Sequence, residues 1–202
     1  MRGTLIIPAL FTLGVAIGIS GHLPSFASSS DWSTYTLYLL MFLAGVGIGS
    51  DRKSWQIIRT INIKIILVPA GILVGTFSGV AIASLLIPNL SLREVLAVGA
   101  GFGYYSLSSI FISRLQSETL GLIALLANMF REIFTLIMTP YLVKNFGNLS
   151  GIASGGATSM DTTLPVISKY SGKEYAIISL FSGMVLTILV PFLVTLILTA
   201  LK

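Results

Sequence analysis

One acidic residue stands in the middle of a long apolar run, where a charge needs a specific reason. Glu132 lies about halfway along the run 120–143, next to Arg131. A charged side chain at mid-bilayer is costly and almost always faces the protein interior or a water-filled cavity. At helical spacing it belongs to a polar stripe, which consists of Asn128, Arg131, Glu132, Thr135 and Thr139. The stripe predicts that Glu132, Arg131 and Asn128 bind a substrate or a proton.

The alternative for Glu132 is a pair with Arg131 that only neutralises both charges. Adjacent side chains do not face each other on a helix, which makes direct pairing awkward.

Asp161 is the second candidate, because it lies in a segment that is neither a good helix nor an ordinary loop. The segment 150–168 is rich in Gly, Ser and Thr and contains Pro165. Irregular backbone at membrane depth is tolerated only where it is buried in protein or lines a water-filled cavity. Apolar neighbours of Asp161 favour immersion over the alternative, an exposed loop. We expect Asp161, Ser159 and Thr158 to contribute to a binding site.

The third candidate is the segment 99–109, which combines three glycines, two tyrosines and three hydroxyl residues. Its glycines and those at Gly155–Gly156 interrupt corresponding parts of two halves of the chain. Such paired interruptions are the best sequence indication of a transporter's midplane binding site and of an inverted repeat. We therefore predict that 150–168 is a broken or re-entrant element that approaches 99–109. The alternative for 99–109 is a packing helix that its glycines loosen.

The composition requires lipid around most of the chain. Of 202 residues, 54% are hydrophobic and only 9% are charged, whereas soluble proteins have about 25% charged residues. The net charge of +5 forms no basic stripe or tail, which disfavours nucleic acid as a partner. Cysteine is absent and His22 is the single histidine, so we expect no cofactor and no metal site.

Apolar runs of membrane-spanning length define the predicted fold class. They lie at 3–19, 32–49, 61–86, 120–143 and 176–201, and a sixth, interrupted run lies at 92–112. We predict an all-α polytopic membrane protein with about six or seven transmembrane helices, forming a single transporter domain over residues 1–202. The first run could also be read as a cleaved signal peptide, and only the family resemblance described below implies a retained helix. Glycines at spacing four predict close helix packing; they are Gly14/Gly18, Gly45/Gly49 and Gly71/Gly75/Gly79.

The basic residues predict the orientation. Arg52, Lys53 and Arg59 follow the second run, whereas 20–33 contains no Lys or Arg. The loop after the second run is therefore expected in the cytoplasm. If 150–168 crosses the membrane, Lys169 and Lys173 also face the cytoplasm and the C-terminus is external.

The segments 101–109 and 156–165, with the helix that carries Asn128, Arg131 and Glu132, resemble the bacterial lysine exporter family of the LysO type. The similarity covers essentially the whole chain and corresponds to the C-terminal two-thirds of longer family members. It implies an inner-membrane exporter of L-lysine and its analogues. The absence of the family's further N-terminal helices implies a separately encoded short membrane subunit or a homo-oligomer.

Lysine carries two ammonium groups and one carboxylate, which the candidate residues match. Glu132 and Asp161 would hold the cationic groups and exchange them for protons, while Tyr104 and Tyr105 would flank the aliphatic stem. Arg131 or a half-helix N-terminus would hold the carboxylate.

Three other functions compete with lysine export. A proton- or sodium-coupled carrier of organic anions would depend on Arg131 more than on the acids. A holin-like membrane protein would leave both acids without a function. An enzyme is disfavoured, because no Ser–His or Cys–His set exists within the apolar runs.

Overall fold

The computed structural model describes residues 63–200 and eight isolated helical positions between Leu13 and Val46. The chain divides into two compact units, Met1–Gly47 and Ile48–Lys202, and the account below concerns the second. The predicted spans 3–19 and 32–49 lie outside the continuously described residues. The single transporter domain stays a prediction.

All regular secondary structure within residues 63–200 is helical, as predicted. After a 3-10 turn at Ile63–Ile66, the α-helices are α1 (Leu67–Ser84), α2 (Leu92–Gly99), α3 (Tyr105–Leu115), α4 (Glu118–Phe146), α5 (Ser150–Gly155), α6 (Leu164–Ser171) and α7 (Tyr175–Ala200), with a second 3-10 turn at Gly156–Met160. Helices α1, α4 and α7 are long and apolar enough to cross a membrane. They correspond to the predicted runs 61–86, 120–143 and 176–201.

Local sequence signals fix where the helices begin and end. Ser91 and Glu94 form a capping box at the start of α2, and the Ser117 side chain accepts a hydrogen bond from Leu120 N at the start of α4. Such caps satisfy amide groups that have no partner in the first turn. Gly147, with a φ of 87°, ends α4, since glycine adopts a positive φ without steric cost.

The interrupted run 92–112 forms two helices that fold back on each other. The Gln116 side chain, directly after α3, donates a hydrogen bond of 3.3 Å to Glu94 near the start of α2. The two arms turn at Phe102 and Gly103, whose φ angles are 47° and 96°. We call residues 92–115 hairpin one. Its two ends lie together, so the run does not continue in one direction as a single spanning helix would.

The segment 150–168 also folds back on itself. A side-chain carbon built on Gly151, near the start of α5, would lie 3.6 Å from Ser171 Oγ at the end of α6. Gly156, with a φ of 62°, begins the turn between the arms. We call residues 150–171 hairpin two. The prediction of a broken element is confirmed, and the segment has the course of a helical hairpin. Re-entry into a membrane stays a prediction.

The two hairpins approach from opposite ends of α4. Helix α4 begins at Glu118, shortly after hairpin one ends, and ends at Phe146, shortly before hairpin two begins. A helix of its 29 residues is about 44 Å long. The bases of the hairpins are therefore far apart, and their tips point towards each other. This opposed arrangement is what an inverted repeat would produce.

The turn of hairpin two gives a stability prediction for Gly156→Ala. A side-chain carbon at this position would clash with the carbonyl oxygen of Phe102, and the positive φ disfavours alanine. We expect a loss of about 2 kcal/mol or more in the free energy of unfolding. Thermal unfolding of the detergent-solubilised protein measures it.

Gly79→Ala is the matched control for Gly156→Ala. Gly79 lies inside α1, and no described atom lies within 4 Å of an added side-chain carbon. We expect its melting temperature to equal or exceed that of the parent, because alanine is the better helix former. Equal losses in both variants would contradict the close contact between the hairpins.

Candidate functional site

The tips of the two hairpins are in direct backbone contact. Ala157 N donates a hydrogen bond of 2.8 Å to Phe102 O. On the other side of the contact, a side-chain carbon on Gly103 would lie 3.0 Å from Gly155 O. Only glycine allows two backbones to approach this closely at these positions. The prediction that 150–168 approaches 99–109 is confirmed, and this crossing is the centre of the candidate site.

Asn128 of α4 holds the tip of hairpin one. Its Nδ2 donates to Val98 O at 3.1 Å, where α2 ends, and to Ala124 O at 2.9 Å. Its Oδ1 accepts from Gly103 N at 2.7 Å. The side chain is 3% exposed. Asn128, predicted to bind substrate, thus uses its amide to hold backbone groups of the turn, and it satisfies Gly103 N, which the interruption leaves without a helical partner.

Arg131 of α4 holds hairpin two in the same way, one helical turn further along. Its Nε donates to Ser154 O at 2.9 Å and its Nη2 to Ala153 O at 3.0 Å, both in the last turn of α5. Its Nη1 donates to Thr76 Oγ1 of α1 at 3.3 Å. A helix C-terminus has a partial negative charge and favours a cation. The end of α5 therefore compensates the charge of Arg131.

Glu132 does not pair with Arg131. Its side chain is half-buried on α4, between the positions of buried Asn128 and Thr135. Within the described part of the chain it makes no hydrogen bond and no ion pair. The carboxylate is thus available to a substrate or a proton, and its inward orientation at mid-membrane stays a prediction.

Asp161 and Tyr104 bring the two hairpins together in the site. Asp161 is exposed at the tip of hairpin two, where its Oδ1 accepts from Thr162 N at 2.5 Å and from Thr162 Oγ1 at 3.3 Å. Asp161 N donates to Thr158 O at 3.1 Å, and a side-chain carbon on Gly103, next to Tyr104 of hairpin one, would lie 3.5 Å from Thr158 Cγ2. Tyr105 is also half-buried, at the start of α3.

Thr158 and Ser159 are buried within the turn of hairpin two. Thr158 Oγ1 donates to Gly155 O at 3.0 Å. Ser159 Oγ donates to Gly156 O at 2.7 Å and to Ser179 O of α7 at 3.1 Å, while Ser179 Oγ donates to Ser159 O at 2.7 Å. Both predicted hydroxyl groups therefore stabilise the turn, and Ser159 also joins it to α7.

The sequence reasoning missed Thr76, Ser154 and Ser179, which contribute partners to these contacts. Ser154 Oγ also forms a hydrogen bond of 2.7 Å with Thr135 Oγ1. Hydroxyl residues in apolar helices often bond only to their own backbone, as Thr199 does with Thr195 O. Only the position of Ser154 inside the Gly-rich segment gave a signal.

Among the described residues, no group of three His, Cys, Asp or Glu side chains is arranged to hold a metal ion.

Comparison with known proteins adds a family to this geometry. The family profile described as "Lysine exporter LysO" matches residues 8–198. The chain is 31% identical over 182 residues to the lysine exporter LysO of Escherichia coli (strain K12), which covers 90% of this chain and 60% of that protein. It is 30% identical over 164 residues to a Haemophilus influenzae protein provisionally named a lysine exporter, covering 79% of this chain and 80% of that protein. No solved structure matches the chain.

The contacts of Arg131 give a prediction that separates geometry from charge. A lysine side chain at position 131 keeps the positive charge. Its single ammonium group cannot bond to two carbonyl groups and a hydroxyl group at once, as the planar guanidinium does. We expect Arg131→Lys to lower the melting temperature by roughly 5 °C, the result of losing about 2 kcal/mol of charge-assisted hydrogen bonds.

Arg114→Lys is the control, since Arg114 is exposed in the last turn of α3. It should melt at the temperature of the parent. If Arg131→Lys were as stable as Arg114→Lys, Arg131 would act as a point charge and the described geometry would not matter.

Proposed function

The chain belongs to the lysine exporter LysO family, a family of membrane transporters and not of enzymes, and we propose that it exports L-lysine and lysine analogues across the inner membrane in exchange for protons. The chain spans 60% of the length of the Escherichia coli relative. Its own activity and substrate are therefore part of the proposal, as is a short membrane subunit or a second copy as partner.

The observation that carries the proposal is the crossing of two opposed hairpins, with a carboxylate that has no cationic partner among the described residues at one tip. Interrupted helices that meet in this way line substrate sites in many transporters. Asp161 lies at the tip of hairpin two, and Tyr104 follows Gly103 at the tip of hairpin one. A carboxylate accepts an ammonium group, and a phenol ring packs against an aliphatic stem. Lysine has both an ammonium group and an aliphatic stem.

Glu132 supplies the second carboxylate and the means of coupling. It has no counter-ion among the described residues, so it can take up either a proton or an ammonium group. Because the two cations compete for one carboxylate, proton uptake from outside would favour release of lysine there. The exchange of incoming protons for outgoing lysine follows from this competition.

The occupied donors of Arg131 count against the organic-anion carrier. An anion would have to compete with protein oxygens for this guanidinium, because each of its three nitrogens already donates to one of them, which uses three of its five N–H groups. The holin-like alternative gives no reason for two interrupted helices to cross or for two acids to lie beside them. Cation export accounts for both.

The distribution of charge suggests which end of the bundle faces the cytoplasm. Lys144 ends α4, and Lys169 and Lys173 lie at the base of hairpin two. The base of hairpin one has two basic residues, Arg93 and Arg114, against these three. By the positive-inside rule, hairpin two enters from the cytoplasm and α7 ends outside. The C-terminus is then external even though hairpin two enters and leaves the membrane on the same side.

Single cysteines test this orientation, because the chain has no cysteine of its own. Arg114→Cys and Lys173→Cys both replace exposed side chains at opposite ends of the described bundle. We expect a membrane-impermeant maleimide to label Arg114→Cys in spheroplasts and Lys173→Cys only in inverted vesicles. Labelling of both from one side would refute the opposed hairpins.

Removing either carboxylate should abolish export. Glu132→Gln and Asp161→Asn keep the shape of the side chain but cannot hold an ammonium group or exchange a proton. We expect export of labelled lysine, with any encoded partner co-expressed, to fall to the background of cells without the protein. Survival in a toxic lysine analogue should be lost in parallel.

Glu118→Gln is the matched control, since Glu118 is exposed at the start of α4. It should export lysine at the rate of the parent, and all three variants should reach the membrane in equal amount. Full export by both site variants would end the carboxylate mechanism. Loss of the two proteins from the membrane would favour a structural role for the acids.

A further inference from the structure

The two hairpins are fastened by different kinds of contact. The turn of hairpin two is held by buried bonds between Ser159 and Ser179 of α7, and Arg131 adds bonds to the end of α5. In addition, Gly183 of α7 packs directly against the backbone of Ala157 and Met160. Any movement of hairpin two would expose or break these buried contacts.

The base of hairpin one depends on polar side chains that water can reach. Arg93 of α2 donates through Nη2 to Leu198 O near the end of α7, and to Gln116 Oε1 at 3.3 Å. Gln116 donates in turn to Glu94 at 3.3 Å. Hydrogen bonds that water can replace contribute little net stability. The arm α2 is also short, with Val95 and Ala97 as its buried side chains.

Arg93 is incompletely satisfied in this arrangement. Its Nε is buried and has no hydrogen-bond partner in the part of the chain that the structure describes. The nearby Glu94 carboxylate accepts from Ser91 and Gln116 instead. A buried donor without a partner carries a free-energy cost. Opening the base would remove this cost, because water would then reach Nε and accept its hydrogen bond.

The other arm of hairpin one is fixed more firmly. Helix α3 packs so closely on α4 that a side-chain carbon on Gly121 would clash with Ser113 and lie 2.8 Å from Ser109 O. The tip is held by Asn128 and by Ala157 N. The last residue of α2 also packs closely on α1, where a side-chain carbon on Gly99 would lie 2.9 Å from Val80. The start of α2 is bonded to the end of α7 through Arg93, so this is the part of the hairpin that can separate from α7.

We propose that Arg93 is a latch that holds α2 against the C-terminal end of α7, and that its release opens hairpin one as the gate on this side of the transporter. The proposal rests on the proposed transport function for its purpose, but the opening itself is measurable without transport. By the charge distribution given above, this side is the external one, where exported lysine leaves.

The test measures access to the buried face of α2. Val95 is 6% exposed and close in volume to cysteine, so Val95→Cys gives one shielded thiol in a chain that has no other. Its reaction with a membrane-impermeant maleimide, applied from outside to spheroplasts, reports opening. Adding Arg93→Met removes the bonds to Leu198 O and Gln116 together with the unsatisfied Nε. We expect the labelling rate to rise by roughly tenfold, which corresponds to a net loss equal to one ordinary hydrogen bond.

Arg114→Met on the same reporter is the control, because Arg114 is an exposed arginine of the same hairpin without a role in the latch. It should leave the labelling rate unchanged. Equal rates for Arg93→Met and Arg114→Met would overturn the proposal. If Arg93→Met does not reach the membrane, Gln116→Leu replaces it: a smaller rise in rate supports the latch, and an unchanged rate refutes it.

The outcome is independent of the proposed substrate. A raised labelling rate in a protein that exports no lysine would leave the latch in place and refute lysine export. An unchanged labelling rate in a protein that exports lysine would refute the latch and leave lysine export in place.

Discussion

Both interruptions leave backbone amide and carbonyl groups without helical partners, and the rest of the site follows from satisfying them. In hydrocarbon no water can replace a missing hydrogen bond, so each group must find a partner in the protein. Asn128 satisfies Val98 O and Gly103 N, and Arg131 satisfies two carbonyls at the end of α5. The remaining pair, Ala157 N and Phe102 O, satisfy each other. The crossing thus exists because each interruption completes the other.

Helix α4 couples the two hairpins because its two polar contacts lie three residues apart. Residues at this spacing share one face of a helix. Asn128 holds hairpin one and Arg131 holds hairpin two, so a rotation or shift of α4 changes both contacts together. The tips are also bonded to each other, which prevents either from moving alone. Movement is therefore easiest at the base of a hairpin, far from the crossing.

The sequence was sufficient to predict those features of the fold and the site that depend on a local signal. Helical periodicity placed Asn128, Arg131 and Thr135 on one face, and glycine content located both interruptions. Hydropathy does not record the direction of the chain after an interruption, so the run 92–112 read as one apolar segment although it folds back. Residue type also does not identify the partner of a donor. Arg131 was as suitable for a substrate carboxylate as for the carbonyls of Ala153 and Ser154.

The contacts of Arg131 change the charge that a substrate would meet. If Arg131 and Glu132 had paired, the region would have offered Asp161 alone to a cation. The end of α5 compensates Arg131 instead, since its carbonyls are the negative end of a helix. Glu132 and Asp161 are then both left without a cationic partner among the described residues. A structural requirement of the broken helix thus keeps both carboxylates, and not Asp161 alone, available to the ammonium groups of a cationic substrate.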